Sequence, residues 1–169
     1  GVQTCALPIF NATDTIISNN DIEISANNYS YGITVYKASD NAIYQNNITA
    51  SSDDFAYGIT TYHSPDTWTN ENNIIAQYEI VDFKDTSIEF NDTYAIPVNR
   101  EKSIIVPIVA EDDSTVDVGF VKIYLDGVEL ATETVSDGKV NIALFKDIIG
   151  DFNLTMKYVG DVQYLSSYA

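Results

Sequence analysis

Between Ile22 and Ile74 the chain repeats itself at a fixed step of 26 residues, which limits it to a stack of similar units. Ile22, Ile48 and Ile74 stand in register, and so do Asn20, Asn46 and Asn72. Tyr31-Gly32-Ile33-Thr34 returns unchanged as Tyr57-Gly58-Ile59-Thr60, Tyr36 returns as Tyr62, and Asp40 as Asp66. Ile, Val, Tyr and Thr alternate with polar residues, as in Ile33-Thr34-Val35-Tyr36, which is the period of strands. Units of this size made only of strands and turns predict the rungs of a parallel β-helix.

The physics of such a stack accounts for the identities. Neighbouring strands lie about 4.8 Å apart, so each residue sits over its counterpart one repeat away. Ile22/Ile48/Ile74 and Ile33/Ile59 are expected to fill the inside. Asn20, Asn46 and Asn72 are expected to form an amide ladder, each donating to one neighbour and accepting from the other. Asn tolerates left-handed backbone angles, which places this column at a corner. Gly32 and Gly58, each after a Tyr, are expected at another corner, with a positive φ or a close backbone approach. One further step of 26 sets only Phe83-Lys84-Asp85 opposite Tyr57-Gly58-Ile59, so the stack is expected to end near residue 83.

Residues 1–9 fit this pattern poorly. They can be back-translated codon for codon into a widely used DNA sequencing adapter, so they are set aside as a non-native segment. The only cysteine, Cys5, falls within them, which removes disulfide and thiol chemistry. The formal net charge is −17, and Lys37 is the only Lys or Arg before residue 75. A field of that sign repels nucleic acid and anionic lipid surfaces. No apolar run approaches the length of a membrane span, so no membrane insertion is expected.

After residue 83 the composition changes. Asn falls from 11 in residues 1–73 to 4 in the remainder, and the 26-residue step vanishes. Short strands with hairpin signals take over: Ser103–Ala110, whose Pro107 suggests an edge or bulge, then Phe120–Leu125, Val128–Thr134, Lys139–Phe145 and Phe152–Val159. Asp126-Gly127 and Asp137-Gly138 are the hairpin turns between them. Strands spaced this way predict an antiparallel sandwich.

Three segments of this half carry a resemblance: Gly119-Phe120-Val121-Lys122-Ile123-Tyr124-Leu125-Asp126-Gly127, Asp137-Gly138-Lys139-Val140, and Tyr158-Val159-Gly160-Asp161-Val162-Gln163-Tyr164-Leu165-Ser166-Ser167. Together they resemble a bacterial-type Ig-like surface repeat. Joined to an Asn-rich β-helix, such a domain resembles the adhesin-like surface proteins of methanogenic archaea and some bacteria. The resemblance implies a disulfide-free sandwich that continues past Ser167 into a final strand. The expected architecture is therefore all-β and truncated at both ends: a short right-handed parallel β-helix over residues 10–83, then an Ig-like sandwich over 84–169 lacking its last strand. That lack would leave the edge of Phe152–Val159 unpaired, and open ends of this kind predict self-association.

No catalytic, cofactor-binding or metal-ligating set is expected. Asp53-Asp54 offers two carboxylates, but adjacent strand residues point to opposite faces, and glycoside hydrolysis needs two acids flanking one bond. Lys37 and His63 align one repeat apart without the partners a lyase or a transition-metal site requires. Glu111-Asp112-Asp113 with Asp117 supplies hard oxygens, yet at no spacing of a calcium loop. Trp68 and Tyr62 could contact carbohydrate, because an aromatic face beside polar groups suits a sugar ring. Five Asn-x-Ser/Thr sequons, at Asn11, Asn28, Asn47, Asn91 and Asn153, are compatible with a glycosylated surface protein; Asn47, beside the inward Ile48 at a corner, is expected to be too confined for modification. The resulting expectation is a non-enzymatic structural or adhesive module of a large cell-surface protein, whose partners are glycans or surface proteins of another cell. The alternative is a piece of a β-helix polysaccharide lyase or hydrolase whose active site lies outside this chain.

Overall fold

The computed structural model describes residues 3–90, 93–147 and 150–169, so the sequon at Asn91 lies outside the described residues. Among the described residues every element is a β-strand, and the chain divides into two compact units, Gly1–Phe83 and Lys84–Ala169.

The first unit opens with β1 (Gln3–Phe10), β2 (Ile16–Ser18) and β3 (Asp21–Ala26). The same lengths return as β4 (Tyr29–Tyr36), β5 (Ala42–Tyr44) and β6 (Asn47–Ser52). They return again as β7 (Phe55–Tyr62), β8 (Trp68–Asn70) and a shortened β9 (Asn73–Ile75), followed by β10 (Tyr78–Phe83). Three parallel sheets result, in the orders β1-β4-β7-β10, β2-β5-β8 and β3-β6-β9. From β1 to β9 every pairing joins residues 26 apart, as in Ile22↔Ile48↔Ile74 and Ile33↔Ile59. Ile33, Val35, Ile43, Ile48 and Ile59 are fully buried together, with Ile22 and Ile74 packed against them.

Three features depart from the sequence expectation. The segment set aside at the N-terminus is part of a sheet: Gln3–Phe10 pairs with β4 in the common register, Leu7 opposite Ile33 and Ile9 opposite Val35. Its alternation of apolar and outward residues matches the pleat, so Leu7 and Ile9 pack on the core while Ala6, Pro8 and Phe10 face out. The last strand of the stack, β10, ends at Phe83 and pairs out of step. Tyr78 and Ile80 lie opposite Tyr57 and Ile59, a step of 21, because the path between Ile75 and Tyr78 is five residues shorter than its counterpart. Tyr78-Glu79-Ile80 thus takes the place of a second return of Tyr-Gly-Ile, out of phase with the constant step. Finally, Gly32 and Gly58 lie inside strands rather than at corners, and neither has a positive φ. What they supply is close approach. A Cβ on Gly32 would stand 2.5 Å from the Gly58 carbonyl oxygen and 2.6 Å from Ile48 Cγ2.

The turns before β4 and β7 contain no residue in the left-handed region, whereas those on either side of β2, β5 and β8 follow one rule. They carry such residues in three columns: Asn11/Lys37/His63, Asp14/Asp40/Asp66 and Asn19/Gln45/Glu71. The next residue can then turn its side chain inward, where the backbone N–H of the preceding repeat needs an acceptor. Asn46 Oδ1 accepts from Asn20 N at 3.0 Å, Asn41 Oδ1 from Thr15 N at 3.2 Å, and Ser64 Oγ from Ala38 N at 3.3 Å. The ladder asparagines are therefore one position past the left-handed residue and not in it. Between side chains the ladder runs from Asn20 Nδ2 to Asn46 Oδ1 at 2.9 Å and from Asn46 Nδ2 to Asn72 Oδ1 at 3.0 Å.

The column Thr15/Asn41/Thr67 is an incomplete version of that ladder. Asn41 is buried, and its Nδ2 and the Thr67 Oγ1 both lack a hydrogen-bond partner. Thr67→Asn places an amide oxygen where Asn72 places one for Asn46. Gaining one buried hydrogen bond should stabilise the protein by about 1 kcal/mol. In calorimetry that is a rise in Tm of about 3 °C for a chain of this length; an unchanged or lowered Tm rejects the incomplete-ladder account.

The second unit contains β11 (Thr86–Ile88), β12 (Arg100–Ala110), β13 (Phe120–Leu125), β14 (Val128–Thr134), β15 (Lys139–Lys146), β16 (Leu154–Tyr158) and β17 (Ser167–Tyr168). They form two antiparallel sheets, β11-β12-β15 and β14-β13-β16-β17, over one core that includes Ile104, Val106, Ile108, Val121, Ile123, Val140, Ile142, Leu144, Met156 and Tyr158. Asp126-Gly127 makes the predicted two-residue hairpin, with positive φ at both residues. Asp137-Gly138 has the same conformation but joins strands of different sheets; Ser136 and Lys139 bridge across it, and Gly138 donates to the Val116 carbonyl and accepts from Ile108 N. Burial of both Val135 and Val140 pulls the two strands apart into the core.

Pro107 lies in a central strand, contrary to the edge or bulge its sequence suggested. It stands where β12 changes partners: pairing with β15 ends at Pro107 and pairing with β11 begins at Ile108, so the missing N–H interrupts neither ladder. The expected bare edge on Phe152–Val159 is also corrected. Gly160, at φ +84°, helps turn the chain back, and β17 pairs with β16 through Lys157↔Tyr168 and Tyr158↔Ser167. Met156 and Ala169 exchange N–H···O bonds of 2.8 and 3.0 Å beside them.

Tyr158 lies under that pairing, fully buried, with its hydroxyl donating to the Val118 carbonyl at 3.0 Å. Burial, then Asp161 and Tyr164, pushes its phenol up from 10.0 to about 12. The unfolded chain releases this proton first as pH rises, so its stabilisation is intact below pH 10 and is lost between pH 10 and about 12. Denaturant melts across that window should show stability falling, and Tyr158→Phe should flatten that component of the slope. An identical slope in both proteins would mean other groups carry it.

Candidate functional site

The parallel stack turns short sequence differences into outward-facing columns. On the sheet β1-β4-β7-β10 the outward rings stack on their counterparts. Tyr29 and Phe55 lie 5.4 Å apart at 12°, Tyr31 and Tyr57 5.0 Å apart at 5°, and Tyr57 and Tyr78 5.2 Å apart at 26°. Such rings turn their faces to one another. Burial, with Tyr29 and Cys5 nearby, raises the Tyr31 phenol above its ordinary value. Cys5 itself is a free thiol, its Sγ 3.3 Å from Thr34 Oγ1.

The two residues proposed to contact carbohydrate are on different sheets. Tyr62 ends β7, half-buried, with its ring stacked on His63 at 4.1 Å and tilted against Tyr36 at 5.1 Å. Trp68 opens β8 and is 53% exposed; its ring partner is Tyr44, 5.8 Å away and tilted by 49°. Trp68 therefore keeps aromatic surface toward solvent, whereas Tyr62 commits its ring to protein neighbours. The sequence could not separate the two, because it does not show that the corner at residues 63–67 turns the chain between them onto a new sheet.

Lys37 and His63 do share a column, as left-handed corner residues, and the Lys37 ammonium lies 5.2 Å from the centre of the Tyr36 ring. Asp53 and Asp54 form the exposed turn between β6 and β7, where Asp54 Oδ2 accepts from Asn28 Nδ2 at 3.1 Å. The acidic run Glu111-Asp112-Asp113 ends β12, and its central carboxylate is engaged. Asp112 is bonded to the Lys84 ammonium through one oxygen, and to Ser114 N (3.1 Å) and Oγ (2.5 Å) through the other. Lys84 and Ser114 together hold this carboxyl well below the usual range. Asn47 is exposed rather than confined; what holds it is a surface ladder, donating to Asp21 at 2.8 Å and accepting from Asn73 at 2.7 Å.

The outer face of β2-β5-β8 is the surface that sequence inspection missed. Its strands are three residues long, with Ile17, Ile43 and Thr69 turned inward and Ile16, Ala42 and Trp68 side by side on the outside. Ile16 is 66% exposed, and Tyr44 stands in the adjoining outward column between Ser18 and Asn70. One border of the face is the column Asp14/Asp40/Asp66, all exposed; the other is Asn19/Gln45/Glu71, where Gln45 Nε2 donates to Glu71 Oε2 at 3.0 Å. An apolar, aromatic strip between hydrogen-bonding borders can take a flat amphipathic ligand. Among the described residues no helix is long and apolar enough to cross a membrane. Comparison of this chain with protein-family models, with curated proteins and with solved structures finds no match.

Proposed function

We propose that this chain is a non-enzymatic structural and adhesive module of a large cell-surface protein. In this proposal the first unit is a short parallel β-helix, right-handed as crossover connections between parallel strands almost always are, and acts as stalk and display surface. The second is an Ig-like β-sandwich acting as spacer or binding unit. The observation that carries the proposal is the repeat register: strand after strand lies on its counterpart 26 residues away, and the corner side chains bond their own counterparts. Polar residues used in this way hold the stack together and leave long outer faces free for display. The charge of −17 suits a partner such as a glycan or a protein of another cell, and disfavours nucleic acid and anionic lipid. The exposed sequon residues Asn11 and Asn153 are compatible with a place outside the cell.

The test is adhesion without turnover. Beads coated with the protein should be retained under flow on cell layers and released by soluble protein added as competitor. Uronate polymers and neutral plant glycans incubated with it should yield neither unsaturated products nor new reducing ends. Beads that wash off every cell layer would overturn the adhesive function, and turnover that disappears in Asp53→Asn or Lys37→Ala would establish an enzyme instead.

A further inference from the structure

We propose that the outer face of β2-β5-β8 binds a glycan chain free of acidic groups, laid across the three strands with one sugar ring over each. This deepens the adhesive function proposed above and rests on it. Three observations converge. Ile16, Ala42 and Trp68 form one outward column in register, and Trp68 and Ile16 are more than half exposed. A Trp or Tyr ring turned to solvent stacks on the C–H face of a pyranose, and Trp68 has Tyr44 tilted beside it to widen that contact. Neighbouring strands are about 4.8 Å apart, close to the length of one sugar ring in an extended chain, so successive sugars keep step with successive strands.

The borders define which glycan. Sugar hydroxyls would meet Asp14, Asp40 and Asp66 along one side and Asn19, Gln45 and Glu71 along the other. A column of three carboxylates in a protein of net charge −17 repels uronates and sulfated sugars. It accepts hydrogen bonds from neutral hydroxyls and attracts the ammonium groups of amino sugars. Charge complementarity thus selects the partner, while the aromatic strip supplies its seat.

Trp68 is the only tryptophan, so its emission reports this face alone. The protein is titrated with three probes of matched length: N-acetylglucosamine oligomers, glucosamine oligomers and galacturonate oligomers, with calorimetry in parallel. Emission and heat should change with the first two, affinity rising up to the trimer and then levelling. Glucosamine oligomers should bind at least fivefold tighter than the acetylated ones at low salt, with the gap closing as salt is added. Trp68→Ala should weaken binding at least tenfold by calorimetry. Asp40→Asn with Asp66→Asn should remove only the glucosamine advantage, since Asn keeps the left-handed conformation at both corners. Equal binding of galacturonate, no response to either non-acidic oligomer, or unchanged affinity in Trp68→Ala each overturns the proposal. Beads that still adhere to cells while no oligomer binds would reject this glycan site and leave the adhesive function standing.

Discussion

Ile48→Asp abolishes folding of the first unit: this is the largest effect expected of a single substitution here. Ile48 is fully buried in β6, between Ile22 and Ile74 in its column, and its Cγ2 fills the space beside Gly32. Removing such a side chain costs about 2–5 kcal/mol even when alanine replaces it. An aspartate adds an ionised group with no cationic partner in an interior of Ile33, Val35, Ile43 and Ile59. The sum, above about 5 kcal/mol, rivals the whole stability of a typical domain. Trp68 emission, which reports this unit, should sit at its unfolded position without denaturant, and circular dichroism should lose β signal. Ile48→Val should cost only about 1 kcal/mol and keep the native spectrum. An Ile48→Asp protein as stable as the parent would mean the column is not what holds the stack.

Asn46→Leu comes next, at about 4 kcal/mol, and its cause is polar. Asn46 is 1% exposed; it donates to the Ile17 and Tyr44 carbonyls and to Asn72 Oδ1, and accepts from Asn20 N and Nδ2. Leucine matches its size yet takes away the acceptor of the part-buried Asn20 N–H and the donor to the buried Ile17 carbonyl, each worth about 1–3 kcal/mol. Asn46→Asp should be no better, since it keeps the acceptor, loses both donors and buries a charge. Because the ladder has a middle and two ends, the cost should fall from Asn46 to Asn72 and again to Asn20, which is exposed. Urea melts of the three leucine variants give the order directly. Equal costs at all three positions would show that asparagine matters there for turn conformation alone.

Much of the first unit was legible in one dimension, because stacking at a constant step makes spatial neighbours into sequence echoes. The Ile and Asn columns and the inward face of Ile33 and Ile59 follow from periodicity and local chemistry, as does the Asp126-Gly127 turn in the second unit. Echoes fail where the step changes, and so Tyr78-Glu79-Ile80, displaced by five residues, escaped notice. Conformation at the corners escaped too. Side-chain type alone does not say which of two neighbours takes the left-handed angle, and Lys37, His63 and Glu71 take it despite being poor candidates.

In the second unit the alternation of Val121 and Ile123 against Phe120 and Lys122 identified strands but not their partners. That the chain crosses between sheets at Asp137-Gly138, that Pro107 stands where β12 changes neighbours, and that β17 covers β16 are decided by which apolar faces must meet in one core. Pairing of this kind depends on residues far apart in sequence and leaves no local signature. The candidate binding face divides the same way. Sequence alone determined that an aromatic, Trp68, stands among polar residues in a strongly acidic protein. Only the tertiary structure decided that Ile16, Ala42 and Trp68 share one outward column beside Tyr44 while Tyr62 lies on another sheet, because the direction of a side chain in a parallel stack is set by corners and register, and these exist only once the strands have paired.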